Sequence, residues 1–155
     1  MERISEHISY QEATRSLTAI KKGIDNTPNN NQLENMRALA NYVFEPVRNF
    51  FNTPIYICSY FRSPMLNTII GGSVSSQHCA KKGAAMDMDA AVYGGFTNSE
   101  LFEFIRGNIG FDQLIWEFGD DYEPNWVHVS FHMGHNRNEV LQAFITKTAT
   151  QYIRL

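Results

Sequence analysis

The chain is organised around the segment Ser75-Ser76-Gln77-His78-Cys79-Ala80-Lys81-Lys82-Gly83-Ala84-Ala85-Met86-Asp87-Met88-Asp89. A histidine in a polar loop is followed by a short apolar strand that carries two acids. Because side chains alternate along a strand, the two methionines point to one face and Asp87 and Asp89 point to the other. Carboxylates on one face repel each other unless a positive charge lies nearby, and the alternating residues include no Lys or Arg. A metal ion held by His78 and one of the acids would supply that charge.

The overall composition is that of a globular protein. The chain has 155 residues, of which 43% are hydrophobic and 13% aromatic, so we expect one domain, residues 1–155, with a buried core. The net charge of -3 gives no basic surface, which argues against nucleic-acid binding. No apolar run approaches the roughly 18 residues of a membrane-spanning helix, and we expect no secretory signal. Cys58 and Cys79 fit reduced thiols of a protein made in a cytoplasm.

The rest of the chain predicts both helices and strands. Capping boxes predict helices after Ser9 and Thr97, and proline and glycine bound a short helix at 64–70. Apolar residues at steps of three and four predict a long helix over 33–50, capped by Asn31 with Glu34 and kinked or split at Pro46. Stretches rich in β-formers predict strands at 55–60, 111–118 and 126–133, the last two as a hairpin. The sequence of residues 139–155 is ambiguous between a helix and a strand. The predicted fold class is α+β, with flanking helices and a central, mainly antiparallel sheet that carries the metal site on one face.

Two further histidines compete to be the third metal ligand. His128 and His132 lie four residues apart on a strictly alternating strand, so they share a face but are separated by about 13 Å. One metal ion, at ~2.1 Å from each ligand, cannot bind both of them. His128 lies among large apolar neighbours that would hold its ring firmly, whereas His132 approaches a glycine turn. We therefore predict His78, His128 and one of the two acids, Asp87 or Asp89, as the ligands of one Zn²⁺ ion per chain.

A site with two histidines and one carboxylate leaves the fourth position of zinc open for water, which is the arrangement of a catalytic centre. Such a water needs a general base, and Glu117 and Glu123 are the two candidates near the His128 strand. Glu117 ends an apolar strand, where desolvation would raise its pKa toward that of a useful base. Glu123 lies in an acidic loop and reads more simply as a solvated residue. We predict Glu117 as the catalytic base, with Glu123 as the alternative.

Nine short segments also occur together in the order and spacing of a known family. They are Ser-Glu-His at 5–7, Gly-Ile-Asp-Asn-Thr-Pro at 23–28, Ser-Tyr-Phe-Arg-Ser-Pro at 59–64, Leu-Asn at 66–67, Gly-Gly at 71–72, Ser-Gln-His at 76–78, Gly-Ala-Ala-Met-Asp at 83–87, Phe-Asp-Gln-Leu-Ile at 111–115 and Trp-Val-His-Val-Ser at 126–130. With these segments the chain resembles the zinc D-alanyl-D-alanine peptidases (the M15 peptidases), particularly the small members encoded by bacteriophages and prophages. The resemblance spans nearly the whole chain.

The resemblance implies roles for individual residues and a hedgehog/DD-peptidase-like fold. It implies His78, Asp87 and His128 as the metal ligands, with Asp89 in a supporting role. It also implies an arginine at Arg62 that binds a substrate carboxylate, and substrate binding by Ser76. The chain departs from the family at two places. The step from His78 to the motif glycine, Gly83, is five positions instead of three. In addition, Asn125 stands where many relatives carry the base of a Glu-x-x-His motif. Either one of the two candidate glutamates replaces that base, or the protein is not an active enzyme.

We therefore expect a zinc metallopeptidase that hydrolyses a peptide bond in bacterial peptidoglycan, as a D-Ala-D-Ala carboxypeptidase or an endolysin-type endopeptidase. The alternative is a non-catalytic, zinc-bearing protein of the same fold that binds the cell wall or forms part of a virion. The expected partner is a peptidoglycan peptide, with no nucleic acid and no transmembrane segment, and we expect a monomer. Without a signal peptide, the protein would be made in the host cytoplasm and act on the wall after release or from a virion.

Overall fold

A six-stranded sheet forms the centre of the computed structural model, which describes residues 2–155. The strands are β1 (Tyr56–Ser59), β2 (Ala84–Asp89), β3 (Gln113–Glu117), β4 (Trp126–Phe131), β5 (Glu139–Ile145) and β6 (Thr150–Arg154), in the spatial order β1-β2-β4-β3-β5-β6. Every neighbouring pair is antiparallel except β3 and β5, which are parallel. The sheet is open, and the predicted α+β class with a mainly antiparallel sheet is confirmed.

Six α-helices accompany the sheet: α1 (Tyr10–Thr14), α2 (Leu17–Lys22), α3 (Asn30–Leu39), α4 (Glu45–Phe51), α5 (Pro64–Ile69) and α6 (Asn98–Asn108). Short 3₁₀ helices lie at Gln77–Cys79 and Ala90–Val92. The helix starts predicted at Ser9 and Thr97 are confirmed, since Ser9 caps α1 and Thr97 forms a complete capping box with Glu100 at the start of α6. No helix of the described residues is both long enough and apolar enough to span a bilayer.

The predicted long helix is present but differs in two details. Its cap is Asn29, whose side chain accepts from the backbone of Gln32 while the Gln32 side chain accepts from Asn29, so the predicted Asn31 cap was wrong. A π-helical turn at Ala40–Phe44 joins α3 to α4, and Pro46 lies in the first turn of α4. A proline cannot donate a backbone hydrogen bond, and the wider turn before it accommodates that loss without ending the helical run.

The sheet has one face packed on helices and one face that carries polar side chains. Met86 and Met88 on β2 are fully buried in the hydrophobic core, together with Val127 and Val129 of the paired strand β4. Helices α3 and α6 pack on this side. Alternation along the strands then directs Asp87 and His128 to the opposite face. The separation of methionines from acids that the sequence predicts along β2 is therefore present.

The chain end that the sequence left undecided forms a hairpin of β5 and β6. Strand β5 pairs in parallel with β3, so that Ala143 lies beside Glu117, and β6 continues the sheet with Tyr152 beside Ala143. All residues of β6 are exposed. The predicted hairpin of β3 and β4 also forms, with Ile115 paired to His128.

Candidate metal centre

Three different elements bring the predicted metal ligands together. His78 lies in the 3₁₀ helix Gln77–Cys79, Asp87 lies on β2, and His128 lies on the neighbouring strand β4. Asp87 and His128 are directly paired across the two strands. One ligand atom from each of the three residues lies within 4.8 Å of the others. A second group of this kind in residues 2–155, formed by Glu6, His7 and Glu45, lies elsewhere on the chain.

The ring of His78 is held in one orientation by the backbone. Its Nδ1–H donates to the carbonyl oxygen of Tyr60 at 2.7 Å, and this fixes the tautomer because a carbonyl can only accept. The other ring nitrogen, Nε2, faces Asp87 at 3.4 Å. Burial lowers the pKa of His78 more than the nearby Asp87 raises it, so the ring is neutral at neutral pH. A neutral imidazole with an oriented free nitrogen is the form that binds a metal ion.

Asp87 is shared between the two histidines. Its Oδ1 accepts from Nδ1 of His128 at 2.8 Å, and its Oδ2 faces His78. Burial alone would raise the pKa of the Asp87 carboxyl, but the interactions with His78 and His128 hold that pKa well below its ordinary value. The carboxylate is therefore ionised, as metal binding requires. Two imidazole nitrogens and one carboxylate oxygen are ligands that suit Zn²⁺ in a catalytic site, so these residues fit the predicted ion.

Arg62 lies immediately beside this group. Its Nη2 is 3.5 Å from Oδ2 of Asp87, its Nε donates to the hydroxyl of Ser59 at 3.1 Å, and its backbone N–H donates to the carbonyl of His78 at 3.0 Å. The alternating residues of β2 contain no positive charge of their own, and the end of β1 supplies one. The predicted substrate-binding arginine is thus placed next to the predicted ligands, with its guanidinium partly exposed.

Glu117 lies on the same sheet face as His128. Ile115 pairs directly with His128, and Glu117 is two residues further along β3, a diagonal separation of roughly 7–8 Å between the strand positions. Glu117 is only 8% exposed, and its carboxylate accepts no hydrogen bond from residues 2–155. Burial raises the pKa of Glu117 to about 7, with a further rise from Asp87 and an opposing effect from His128. A carboxyl with this pKa beside a candidate metal site has the properties of a general base.

Glu123 has a different set of contacts. Its Oε1 accepts from the backbone N–H of Asn98 at 2.6 Å and its Oε2 accepts from that of Ser99 at 3.3 Å, so both oxygens bind the first turn of α6. A carboxylate here interacts favourably with the helix dipole. Because these bonds occupy Glu123, the structure favours Glu117 of the two predicted bases. Asn125, at the position of the missing Glu-x-x-His glutamate, donates its backbone N–H to the carbonyl of Glu117 at 3.0 Å.

Ser76 and the lengthened loop support the turn that carries His78. The Ser76 hydroxyl accepts from the backbone N–H of His78 at 3.3 Å and so caps the 3₁₀ helix, while its predicted substrate contact is untested. Two side chains of α3 bind the next residues, since Gln32 donates to the carbonyl of Cys79 at 3.0 Å and Asn35 to that of Ala80 at 2.9 Å. The extra residues are thereby absorbed without separating His78 from Asp87.

Other residues around the site are assigned by their contacts. Asp89 accepts from the backbone of Ala91 at 3.0 Å and from the Asn98 amide at 2.9 Å, so it caps a turn and is not among the converging ligand atoms.

Tyr152, on β6, was not identified from the sequence as a residue near the site. Burial and the charges of Glu117 and Asp87 raise the pKa of its hydroxyl. Only the parallel pairing of β5 with β3 brings Tyr152 to this face, and no local pattern predicts that pairing.

A family model described as Peptidase M15 matches residues 6–130. The matched region contains strands β1 to β3, all of β4 except its last residue, Phe131, and every site residue described above except Tyr152. No curated protein matches the chain.

Proposed function

The chain belongs to the peptidase M15 family, and from this we propose that it is a zinc-dependent peptidase that hydrolyses a peptide bond of bacterial peptidoglycan. The observation that carries the proposal is the position of Glu117, a buried carboxylate without a hydrogen-bond donor, on the sheet face of the His78–Asp87–His128 group. Such a carboxylate is costly to bury, and catalysis is the function that needs it.

His78, Asp87 and His128 would hold the ion. A bound Zn²⁺ supplies Lewis-acid chemistry, which polarises the scissile carbonyl and lowers the pKa of the attacking water. The neutral ring of His78, oriented by the Tyr60 carbonyl, and the ionised Asp87 carboxylate are ready to bind a cation without a prior change of protonation.

Glu117 would carry the proton transfers. Its unprotonated carboxylate accepts a proton from the attacking water, and the resulting acid donates that proton to the leaving amine. The pKa of about 7 suits both steps, since the group is close to half ionised at neutral pH. Its burial between strands limits competing hydrogen bonds from bulk water.

Arg62 would bind a carboxylate of the peptide stem. A guanidinium forms paired hydrogen bonds with a carboxylate. The guanidinium of Arg62 is partly exposed and 3.5 Å from Asp87, so a peptide bound there would lie beside the reacting centre.

We propose that the protein acts as a monomer, has no nucleic-acid partner, and reaches the cell wall after release from the host cell or as part of a virion. We also propose that Ser76 binds the same peptide.

The test is digestion of purified peptidoglycan by the zinc-loaded protein, with the released fragments identified by mass. We expect fragments from cleavage of one stem or cross-bridge bond, loss of this activity with a chelator, and recovery with added zinc. The variant His78→Ala is expected to lose both zinc binding and hydrolysis. Retained hydrolysis by a folded His78→Ala protein would rule out the proposed centre.

The same experiment separates the enzyme from its closest alternative, a zinc-bearing protein that binds the wall without cutting it. The residue Asn125 at the family's usual base position favours this alternative, and Glu117 argues against it. Stoichiometric zinc and wall binding without any released fragment would establish the alternative.

A further inference from the structure

A groove of about 350 Å³ adjoins the candidate metal centre. One wall is the edge strand β1, with Tyr56 and Ser59. The other is formed by Arg15, in the connection from α1 to α2, and Leu17, at the start of α2. Arg62 lines the same groove and is 3.5 Å from Asp87. The groove therefore lies along the sheet edge and is connected to the predicted ligands through Arg62.

The charged side chains that line the groove are all positive. Its charged lining residues are two arginines, Arg15 and Arg62, and no acidic side chain lines it. Arg15 takes part in no ion pair with residues 2–155, and its Nη2 donates to the hydroxyl of Tyr56 at 3.0 Å. This hydrogen bond holds the guanidinium against β1 while its other donors stay free. A positively charged groove with a preorganised guanidinium suits an anionic ligand.

The groove also offers apolar surface between and beside its charges. Leu17 is 67% exposed and Ile70 is 44% exposed, and both line it. Small apolar side chains, such as the methyl group of alanine, would bury this surface on binding. The lining thus matches a short peptide that alternates small apolar residues with carboxylates.

We propose that Arg15 determines specificity by binding a second carboxylate of the peptide substrate, in addition to the one that Arg62 binds. The inference rests on the proposed function, because it places the substrate in this groove. A lysine-type stem peptide carries two carboxylates, one at its C-terminus and the α-carboxylate of its γ-linked D-glutamate. The two guanidiniums of the groove match these two groups, and the glutamate α-carboxylate is the group assigned to Arg15.

The test compares two lysine-type stem peptides, each as a monomer and as a cross-linked dimer, that differ only in whether the glutamate α-carboxylate is free or amidated. Initial rates are measured with the zinc-loaded protein. We expect the wild type to prefer the free carboxylate by about tenfold in kcat/KM, mainly through KM. Arg15→Gln should lose this preference with kcat retained, and Tyr56→Phe should lose part of it.

Lys22→Gln is the matched control, since Lys22 is an exposed cation of α2 that does not line the groove, and its loss changes the net charge equally. It should keep the full preference. Equal rates for both peptides with the wild type, or an equal loss on both peptides with Arg15→Gln, would overturn the role of Arg15 and leave the proposed function intact. If the wild type cleaves neither peptide in either form, the proposed function fails and this inference fails with it.

Discussion

At Glu117, a carboxyl group is buried at the end of an apolar strand and accepts no hydrogen bond from residues 2–155. The same burial that makes it a suitable base makes its ionised form unfavourable in the folded protein. Burial of Glu117 therefore favours catalysis but lowers the stability of the folded protein. The first effect can be measured as a pH dependence of the rate, and the second as a change in the free energy of unfolding.

The first consequence is a pH dependence of the reaction. Glu117 must be unprotonated to accept a proton, and its pKa is raised to about 7, so kcat/KM should rise as the pH increases from 5 toward 7 and then level off. A bound cation lowers the pKa of a neighbouring carboxyl, which places the rising limb at or below this value. Rates are to be measured with the zinc content checked at every pH. A rate that is constant or falls over this range would contradict the assignment.

The second consequence concerns stability. The pKa of Glu117 is 4.5 in its unperturbed state and about 7 in the folded protein. The folded state therefore binds the proton more tightly, and the wild type loses stability as the pH rises from 4.5 through 7. Glu117→Gln carries no charge and escapes this loss. We expect the metal-free variant to be more stable than the metal-free wild type at pH 8, by on the order of 2 kcal/mol.

Chemical denaturation at two pH values measures this effect. The difference in free energy of unfolding should be present at pH 8 and nearly absent at pH 4, where Glu117 is protonated in both states. A variant that is less stable than the wild type at pH 8 would show that the carboxylate has a favourable partner in the folded protein.

At this scale the sequence predicts residues whose local context is unusual. An acid among large apolar neighbours, as at Glu117, and acids alternating with methionines, as at Asp87, are visible without a structure. The contact between His78 and the Tyr60 carbonyl cannot be predicted from the sequence. Every residue has a backbone carbonyl, and only the fold determines which one lies beside the His78 ring. The approach of Arg62 to Asp87 depends likewise on the pairing of β1 with β2.

At the scale of elements, strands and helix starts follow from local patterns, whereas choices among similar residues do not. Three successive asparagines, at 29–31, stand where the long helix begins, and asparagine is a good cap at any of these positions. Asn29 is the cap because Gln32 lies three residues later and completes the capping box. The strands β5 and β6 lack a decisive pattern because β6 is exposed along its whole length, so no alternation of buried and exposed residues marks it.

The turn after β3 directly follows Glu117 and contains Gly119, a glycine in the left-handed region. Gly119 has φ +73°, and a Cβ at this position would lie 2.0 Å from the carbonyl oxygen of Glu123. We expect Gly119→Ala to destabilise the protein by at least about 2 kcal/mol, from the left-handed backbone and the backbone clash together. Thermal or chemical denaturation measures this loss.

Gly107 is the control for this substitution. It lies inside α6, and a Cβ there would meet nothing within 4 Å. Gly107→Ala should leave stability unchanged or raise it by about 0.5–1 kcal/mol, because alanine favours the helix. If both substitutions change the stability equally, the left-handed backbone and the close backbone contact at Gly119 do not require a glycine there, and the prediction is wrong.

At the scale of the whole molecule, the strand order β1-β2-β4-β3-β5-β6 places Asp87, His128 and Glu117 on the neighbouring strands β2, β4 and β3. His78 joins them from the 3₁₀ helix that precedes β2. The helices α3 and α6 pack on the other face, so the sheet itself separates these candidate site residues from the hydrophobic core. The match to the family ends at residue 130, and β5 and β6 extend the sheet beyond it. This extension brings Tyr152 toward Glu117.

The central claim is that His78, Asp87 and His128 hold a catalytic zinc ion and that Glu117 is the base that works with it. The most direct measurement determines zinc content and the rate of stem-peptide release on the same samples of the wild type, Glu117→Gln and the matched variant Glu123→Gln. We expect about one zinc ion per chain in all three proteins, with a rate at least about 100-fold lower in Glu117→Gln alone. Wild-type turnover in zinc-loaded Glu117→Gln, or a comparable loss in Glu123→Gln instead, would contradict the claim.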